Sequence, residues 1–286
     1  MRYVLLGIAL CLAGCDPADT PDSKRAATKN EWPNDRDSPT PTPVEHDGAA
    51  EPKQPPTDPP KPATVQNSDA EPKEVPPEDA PPVPESYKPL NKAKSLFFEK
   101  NGDVRKVHLM AEVCLREGPL EVLLCKMNTK EHESILHVDA DAREIHFALI
   151  AAGAQPGTPV KFVPVYTAAT GTKIKVSLTY REKGKVKTVT AQDWIKDKKT
   201  GKNMAHEWVF AGSKFFKDPD RPNASPYYMA NNGEIISLAN FPDSMMDLPV
   251  KSPKEALNLI YEINNPLIPP LKTPVLITFE PVLDKK

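Results

Sequence analysis

The sequence predicts an α+β domain, a mostly antiparallel sheet with two main helices, preceded by a disordered proline-rich tether. Three observations carry that expectation. Of the 34 prolines, 19 lie between Asp16 and Leu90, hydrophobicity alternates with period two through much of the remainder, and two later segments carry helix-terminus signals.

The chain opens "MRYVLLGIALCLAGC", one basic residue followed by an apolar run too short to span a bilayer. This reads as an export signal over residues 1–14. Leu12-Ala13-Gly14-Cys15 resembles the lipobox of bacterial lipoproteins, which implies diacylglycerol on the Cys15 thiol and cleavage just before it. The competing reading is an ordinary signal peptide with a chance cysteine at its end. Asp16 matches an inner-membrane retention signal used in some Gram-negative lineages. No later apolar run has the length of a membrane helix, so the membrane is expected as a partner through acyl chains on Cys15. Two or three chains hold persistently where one holds only reversibly.

Residues 15–90 form the expected tether. They contain only two aromatics, Trp32 and Tyr87, and from Asp16 onward 16 acidic against 8 basic residues. Such a segment cannot bury a core, and self-repulsion adds to proline stiffness. Its reach lies between roughly 45 Å as a coil and about 230 Å fully extended. Its PxxP segments also suit an aromatic-lined groove on a partner, a less common use than spacing.

Residues 91–286 are the expected folded domain, with 28 basic and 23 acidic residues and no basic run. That excess reads as a solvated surface rather than a nucleic-acid footprint, and suits anionic lipid or cell-wall polymer nearby; an envelope protein or cell-wall polymer is the expected partner besides the membrane. "VRKVHLMAEVCLREGPLEVLLCK" has strand character on both sides of Gly118-Pro119, which predicts a hairpin. "DADAREIHFALIAAGA" has Asp141 and Glu144 at capping-box spacing, an apolar stripe of Ile145, Ala148, Leu149 and Ala152, and Gly153 as its stop. In "KIKVSLTYREKGKVKTVT", Ile174, Val176, Leu178 and Tyr180 share one face and Lys183-Gly184 marks a reversal. A further hairpin is predicted around Asn232-Gly233. "SPKEALNLIYEINN" predicts the second helix, with Ser252 as N-cap and Leu257, Ile260 and Tyr261 as its stripe. "TPVLITFEPV" is the last strand.

"GPLEVLLC", "TKEHESIL", "IHFALIAAGAQPGTPV", "AQDWI", "EWVFAGS", "NFPDSMMDLP" and "IPPLKTPV" occur in this order between Val107 and Val282. Together they resemble the YdjY-type domain of bacterial exported proteins, a largely uncharacterised family. A ferredoxin-like label is attached to some members. It requires four thiolate ligands for an iron–sulfur cluster, and this domain has two cysteines, Cys114 and Cys125.

In an oxidising compartment those two cysteines suggest a disulfide, with two buried thiols or a metal site beside histidines as alternatives. "TKEHESILH" looks at first like metal chemistry. A zinc protease places two histidines four apart on one helical face, whereas His132 and His137 are five apart and diverge on a helix or a strand. Lys130, Glu131, His132 and Glu133 therefore remain as a candidate binding loop, against a reading as solvated charge. Asn240 and Asp247 in the proline-restricted "NFPDSMMDLP" join them as candidates, expected to line a concavity shared with His132. Asp139 and Asp141 read as capping residues, Trp194, Trp208 and Phe210 as core, and Ser213 lacks a nucleophile elbow. No catalytic set, metal site or cofactor is assigned. The sequence leans towards a non-catalytic binding or assembly domain, lipid-anchored in the bacterial cell envelope and facing periplasm or exterior. The alternative is an envelope enzyme or metal-binding redox accessory using His132, Glu133 and Glu131 with Asp247 or a cysteine.

Overall fold

The computed structural model describes residues 77–254 and 259–283. The signal peptide, Cys15 and the tether up to residue 76 lie outside the described residues. The first half contains β1 (Lys88–Pro89), β2 (Leu96–Asn101), β3 (Val104–Val113), β4 (Val122–Lys126), β5 (Ser134–Val138), α1 (Ala142–Ala151), β6 (Lys173–Glu182) and β7 (Lys185–Thr190). The second contains β8 (Ile195–Asp197), β9 (Trp208–Phe210), β10 (Phe215–Phe216), β11 (Tyr227–Tyr228), β12 (Ile236–Ser237), β13 (Met246–Asp247), β14 (Tyr261–Ile263) and β15 (Pro274–Pro281).

Strands pair in the order β3, β15, β6, β9, β13, β12, β4, β5, and β5 returns to β3 through Glu112↔His137 and Val113↔Leu136. The sheet is thus a closed eight-stranded barrel, with β1, β2 and β7 added outside the ring. Closure leaves the ring no free edge to pair with another chain. Two of its ladders, β4–β5 and β12–β13, are parallel, and the others are antiparallel.

Alternation explains the long strands. Ile174, Val176, Leu178 and Tyr180 of β6 and Val275, Ile277 and Phe279 of β15 point into one core with Trp208, Phe210, Trp194 and Leu109. Each large apolar side chain so buried contributes about 1.5–3 kcal/mol. In β4, by contrast, Val122 to Cys125 are all buried: Leu123 and Leu124 join the main core, while Ala239, Phe241 and Leu259 pack with Val122 and Cys125. The helix α1 is N-capped by Asp141, whose carboxylate accepts from the Arg143 amide, and Ile145, Ala148 and Leu149 join the core.

The expected α+β class is corrected to a mostly β barrel with a single α-helix among the described residues. The loss comes from "SPKEALNLIYEINN". Tyr261–Ile263 is strand β14, paired antiparallel with β8, while residues 255–258 lie outside the described residues. Leu259 and Tyr261 are buried at a spacing of two, and this apolar run of branched and aromatic residues fits either period. Ser252 caps nothing described; its amide donates to Asn240 Oδ1.

Two hairpins also change. The Lys183-Gly184 reversal joins β6 to β7, with both residues at positive φ. Across Gly118-Pro119, however, β3 and β4 do not pair, since β5 inserts between them. Asn232-Gly233 is not a hairpin turn either. It ends a short 3-10 turn, Met229–Asn232, and Ile236 of β12 then pairs with β4 and β13.

Candidate functional site

The charged loop owes its shape to the parallel β4–β5 pair. A parallel connection usually takes about a dozen residues or more, yet only Met127–Glu133 links Lys126 to Ser134. The chain must turn back at once along β4. Asn128 takes φ 63 and its amide donates to Glu131 Oε1 at 3.1 Å, and the Thr129 hydroxyl donates to the Lys126 carbonyl. A 3-10 turn, Glu131–Glu133, completes the return.

This turn sends its side chains in different directions. Lys130 bends inward, with Nζ 2.8 Å from Glu133 Oε1, 3.4 Å from Glu234 Oε1 and 4.0 Å from Glu121 Oε2, over the Phe241 ring. Glu131 accepts from His137 Nδ1, whose other nitrogen faces Glu112 Oε1 at 3.4 Å. That hydrogen bond holds the Glu131 carboxyl below its ordinary range, against a smaller effect of burial. His132 points outward, its side chain 75 % exposed, with Nε2 3.8 Å from Glu133 Oε2.

Three carboxyl groups therefore surround one half-buried ammonium. Burial opposes the charge on Lys130, but the Glu133 hydrogen bond and the fields of Glu234, Glu133 and Glu121 outweigh it and raise its pKa. Burial, and then Glu133, push Glu121 up to about 7 despite Lys130. Burial likewise raises Glu234, whose Oε2 is buried without a hydrogen-bond partner. Gly233 makes the approach feasible: at φ 123, a Cβ there would stand 2.8 Å from Thr129 Oγ1 and 2.9 Å from Lys130 Cγ. The Asn-Gly pair in the sequence signalled a tight backbone, and its use is this close approach. Sequence reasoning misses Glu121 and Glu234 for different reasons: Glu234 is about a hundred positions from the loop, and Glu121, inside "GPLEVLLC" just before β4, is turned towards Lys130 only because the chain doubles back along that strand.

Asn240 and Asp247 are 1 % and 0 % exposed, so they do not line a surface concavity with His132. Asp247 Oδ1 accepts from Asn240 Nδ2 at 3.0 Å and from the Leu248 amide at 2.7 Å, while Oδ2 has no partner. Burial pushes the Asp247 carboxyl up to about 7, against those two donors and the nearby Phe241 amide. Asn240 Oδ1 accepts from the Ser252 amide and from the Tyr166 hydroxyl. The pair reaches the charged turn through Phe241, beneath Lys130.

Cys114 and Cys125 are free thiols. Cys114 donates to the Ser134 carbonyl at 3.0 Å and neighbours Cys125. The Cys114 thiol lowers Cys125 to about 7 against burial, with Ser134, Thr129 and the Lys130 amide adding to the effect, while Cys114 is itself raised. Among the described residues no group of three or more His, Cys, Asp or Glu is arranged to hold a metal ion. Within the carboxylate cluster the Lys130 ammonium takes the place a cation would fill. Burial would raise Asp141, but Arg143 and Asn231 hold it down at about 2, and the Ser213 hydroxyl donates to the Asp243 carbonyl.

A closed barrel with, among the described residues, one capped helix, carrying a lysine-centred carboxylate cluster on the turn between two parallel strands, defines a mostly β domain with a polar rim site. The chain belongs to the YdjY domain family, whose model matches residues 99–280, from β2 to β15. No curated protein and no solved structure matches it.

Proposed function

We propose that the chain is a lipid-anchored protein of the bacterial cell envelope, held by acylated Cys15 on the long tether, whose YdjY domain binds a partner rather than catalysing a reaction. The observation that carries the binding role is the buried, unpartnered Oε2 of Glu234 beside Lys130. A buried acceptor without a donor costs about 1–3 kcal/mol, which a ligand N–H donor would recover. With three carboxyl groups to one ammonium, the preferred donor is cationic, such as an amine of an envelope protein or cell-wall polymer. His132 and Glu131 stand at the exposed rim of that turn.

Titration of the protein with lysine amide, followed by amide NMR shifts, tests the site. Saturable shifts at Gly233, Glu234 and Phe241 that disappear in Glu234→Gln support it; no saturable shift would sink it. The anchor is tested separately. Mass spectrometry should find diacylglycerol on Cys15, and Cys15→Ser should leave the membrane fraction.

A second reading, an envelope enzyme, is favoured by one observation: Glu121, raised to about 7 beside Glu133, can give or take a proton near neutrality. Its metal version predicts stoichiometric metal in the purified protein that is lost in His132→Ala.

A further inference from the structure

Between α1 and β6 the chain forms an arm. Pro156 bridges Gly171, Thr158 and Thr170 exchange backbone and side-chain hydrogen bonds, and Lys161 and Thr167 close the top with amide-to-carbonyl bonds of 3.0 and 2.8 Å. Its base is fixed to the barrel. Gly157 donates to the Phe210 carbonyl, Ala169 packs on Val209 and Ala211, and a Cβ at Gly171 would meet that same carbonyl oxygen at 2.0 Å.

The tip is the reverse of a soluble turn. Phe162, Val163 and Val165 are 47 %, 83 % and 72 % exposed, Pro164 lies between the valines, and Tyr166 packs near Phe162 with its hydroxyl on Asn240. No acidic residue occurs from Gln155 to Thr172. Lys161 is exposed at the base of the tip, and Lys251 reaches over the Tyr166 ring at 5.9 Å. A lone exposed valine would be ordinary, but a contiguous apolar tip held out by a fixed arm marks an interaction surface.

We propose that this arm is a membrane-docking finger: the Phe162–Val165 tip enters the headgroup–acyl boundary of an anionic bilayer while Lys161 and Lys251 meet its phosphates. The charge sign and the apolar apex select this partner. An apolar apex flanked by two lysines, with no acidic residue in the arm, matches a surface whose outer layer is negative and whose interior is hydrocarbon. A protein groove would also accept the apex, but nothing in the arm offers it a donor–acceptor pattern to read. The finger does not depend on the acyl anchor; where both act, it would hold the barrel down against its tether in a set orientation.

The test uses the chain starting at Asp16, which carries neither signal peptide nor acyl group, so that failure of the anchor and failure of the finger are separable. Co-sedimentation is measured with vesicles of phosphatidylcholine, with and without phosphatidylglycerol. Binding is expected only to the anionic vesicles, weakened by salt, and about tenfold or more weaker in Val163→Asp/Val165→Asp. Circular dichroism should show that variant folded, since the substituted side chains touch solvent. In a Val163→Trp variant, brominated acyl chains should quench the fluorescence of the new indole. Absence of vesicle binding by the parent chain, equal binding by the double-Asp variant, or an unquenched indole in the vesicle-bound Val163→Trp variant would each overturn the proposal.

Discussion

The ammonium of Lys130 stands 4.0 Å from the ring centroid of Phe241. This contact joins two segments more than a hundred positions apart, the return turn after β4 and the loop before β13. It explains how a surface lysine can be held among three carboxyl groups: the ring excludes water from one side while Glu133 and Glu234 supply charge from the other.

The first prediction is that the two residues are energetically coupled. Phe241→Ala opens a cavity over Val122 and Cys125 and should cost about 3–5 kcal/mol, whereas Phe241→Leu keeps most of the packing. A double-mutant cycle of Phe241→Leu with Lys130→Met, read by urea unfolding, should give a coupling of about 0.5–2 kcal/mol. Additive costs would mean that the ring only packs and does not hold the ammonium.

Asp247 supplies a pH prediction. Its folded carboxyl is raised from 3.8 to about 7, so between those values the folded state binds a proton that the unfolded state has released. Stability then falls as pH rises from about 4 to about 7, and the whole cost is present above that range. Glu121, raised from 4.5 to about 7, acts in the same direction. Asp247→Asn keeps an oxygen for the Asn240 and Leu248 donors and removes the charge. It should stabilise the fold at about pH 8 by about 1 kcal/mol or more and flatten the decline. An unchanged slope of unfolding free energy against pH would contradict this account.

Gly233 should not tolerate a side chain. A residue at φ 123 is strained whatever its surroundings, and here the added methyl also meets Thr129 and Lys130. Gly233→Ala should destabilise the domain by more than about 1 kcal/mol and displace the Lys130 amide resonance, whereas Gly102→Ala, with open space around it, should show only the backbone cost. Equal melting temperatures for the two variants would remove the close approach.

Period two made much of the barrel legible: the inward faces of β6 and β15 and the Lys183-Gly184 reversal follow from alternation and turn chemistry alone. Helix α1 was legible because Asp141 caps it and Gly153 follows its end, although no capping box forms: Asp141 takes the Arg143 amide, and the Glu144 carboxylate accepts from Asn91 instead. Ring closure was not. The pairing of Glu112 with His137 and the insertion of β5 between β3 and β4 are long-range register choices that no local pattern encodes. The candidate site divides in the same way. Lys130 and Glu133 stood out as charge in a loop, but their partners Glu121 and Glu234 are brought in by β4 and by the chain entering β12. Asn240 and Asp247 were visible as polar residues in a restrained loop, and only burial distinguishes an internal clamp from a pocket lining.

The last prediction concerns the two thiols, which touch although their backbones are held apart. Cys114 follows β3 and Cys125 lies in β4, and β5 pairs with both strands. Two strand spacings are about 9–10 Å, beyond the roughly 7 Å between Cα atoms that a disulfide tolerates without backbone movement. The side chains meet over Ser134 instead, where Cys114 serves Cys125 as a hydrogen-bond neighbour. In the chain starting at Asp16, oxidised glutathione should therefore leave the native pair as thiols, and denaturation without reductant should reveal two groups reactive to a chromogenic thiol reagent. In the native state both should react slowly, Cys125 because solvent does not reach it although its thiol is lowered, and the half-buried Cys114 because its own thiol is raised. Cys114→Ala should raise the Cys125 pKa from about 7, because it removes the first of the interactions that lower it. A disulfide that forms readily in the native protein without loss of stability would show that β5 does not hold the two backbones apart.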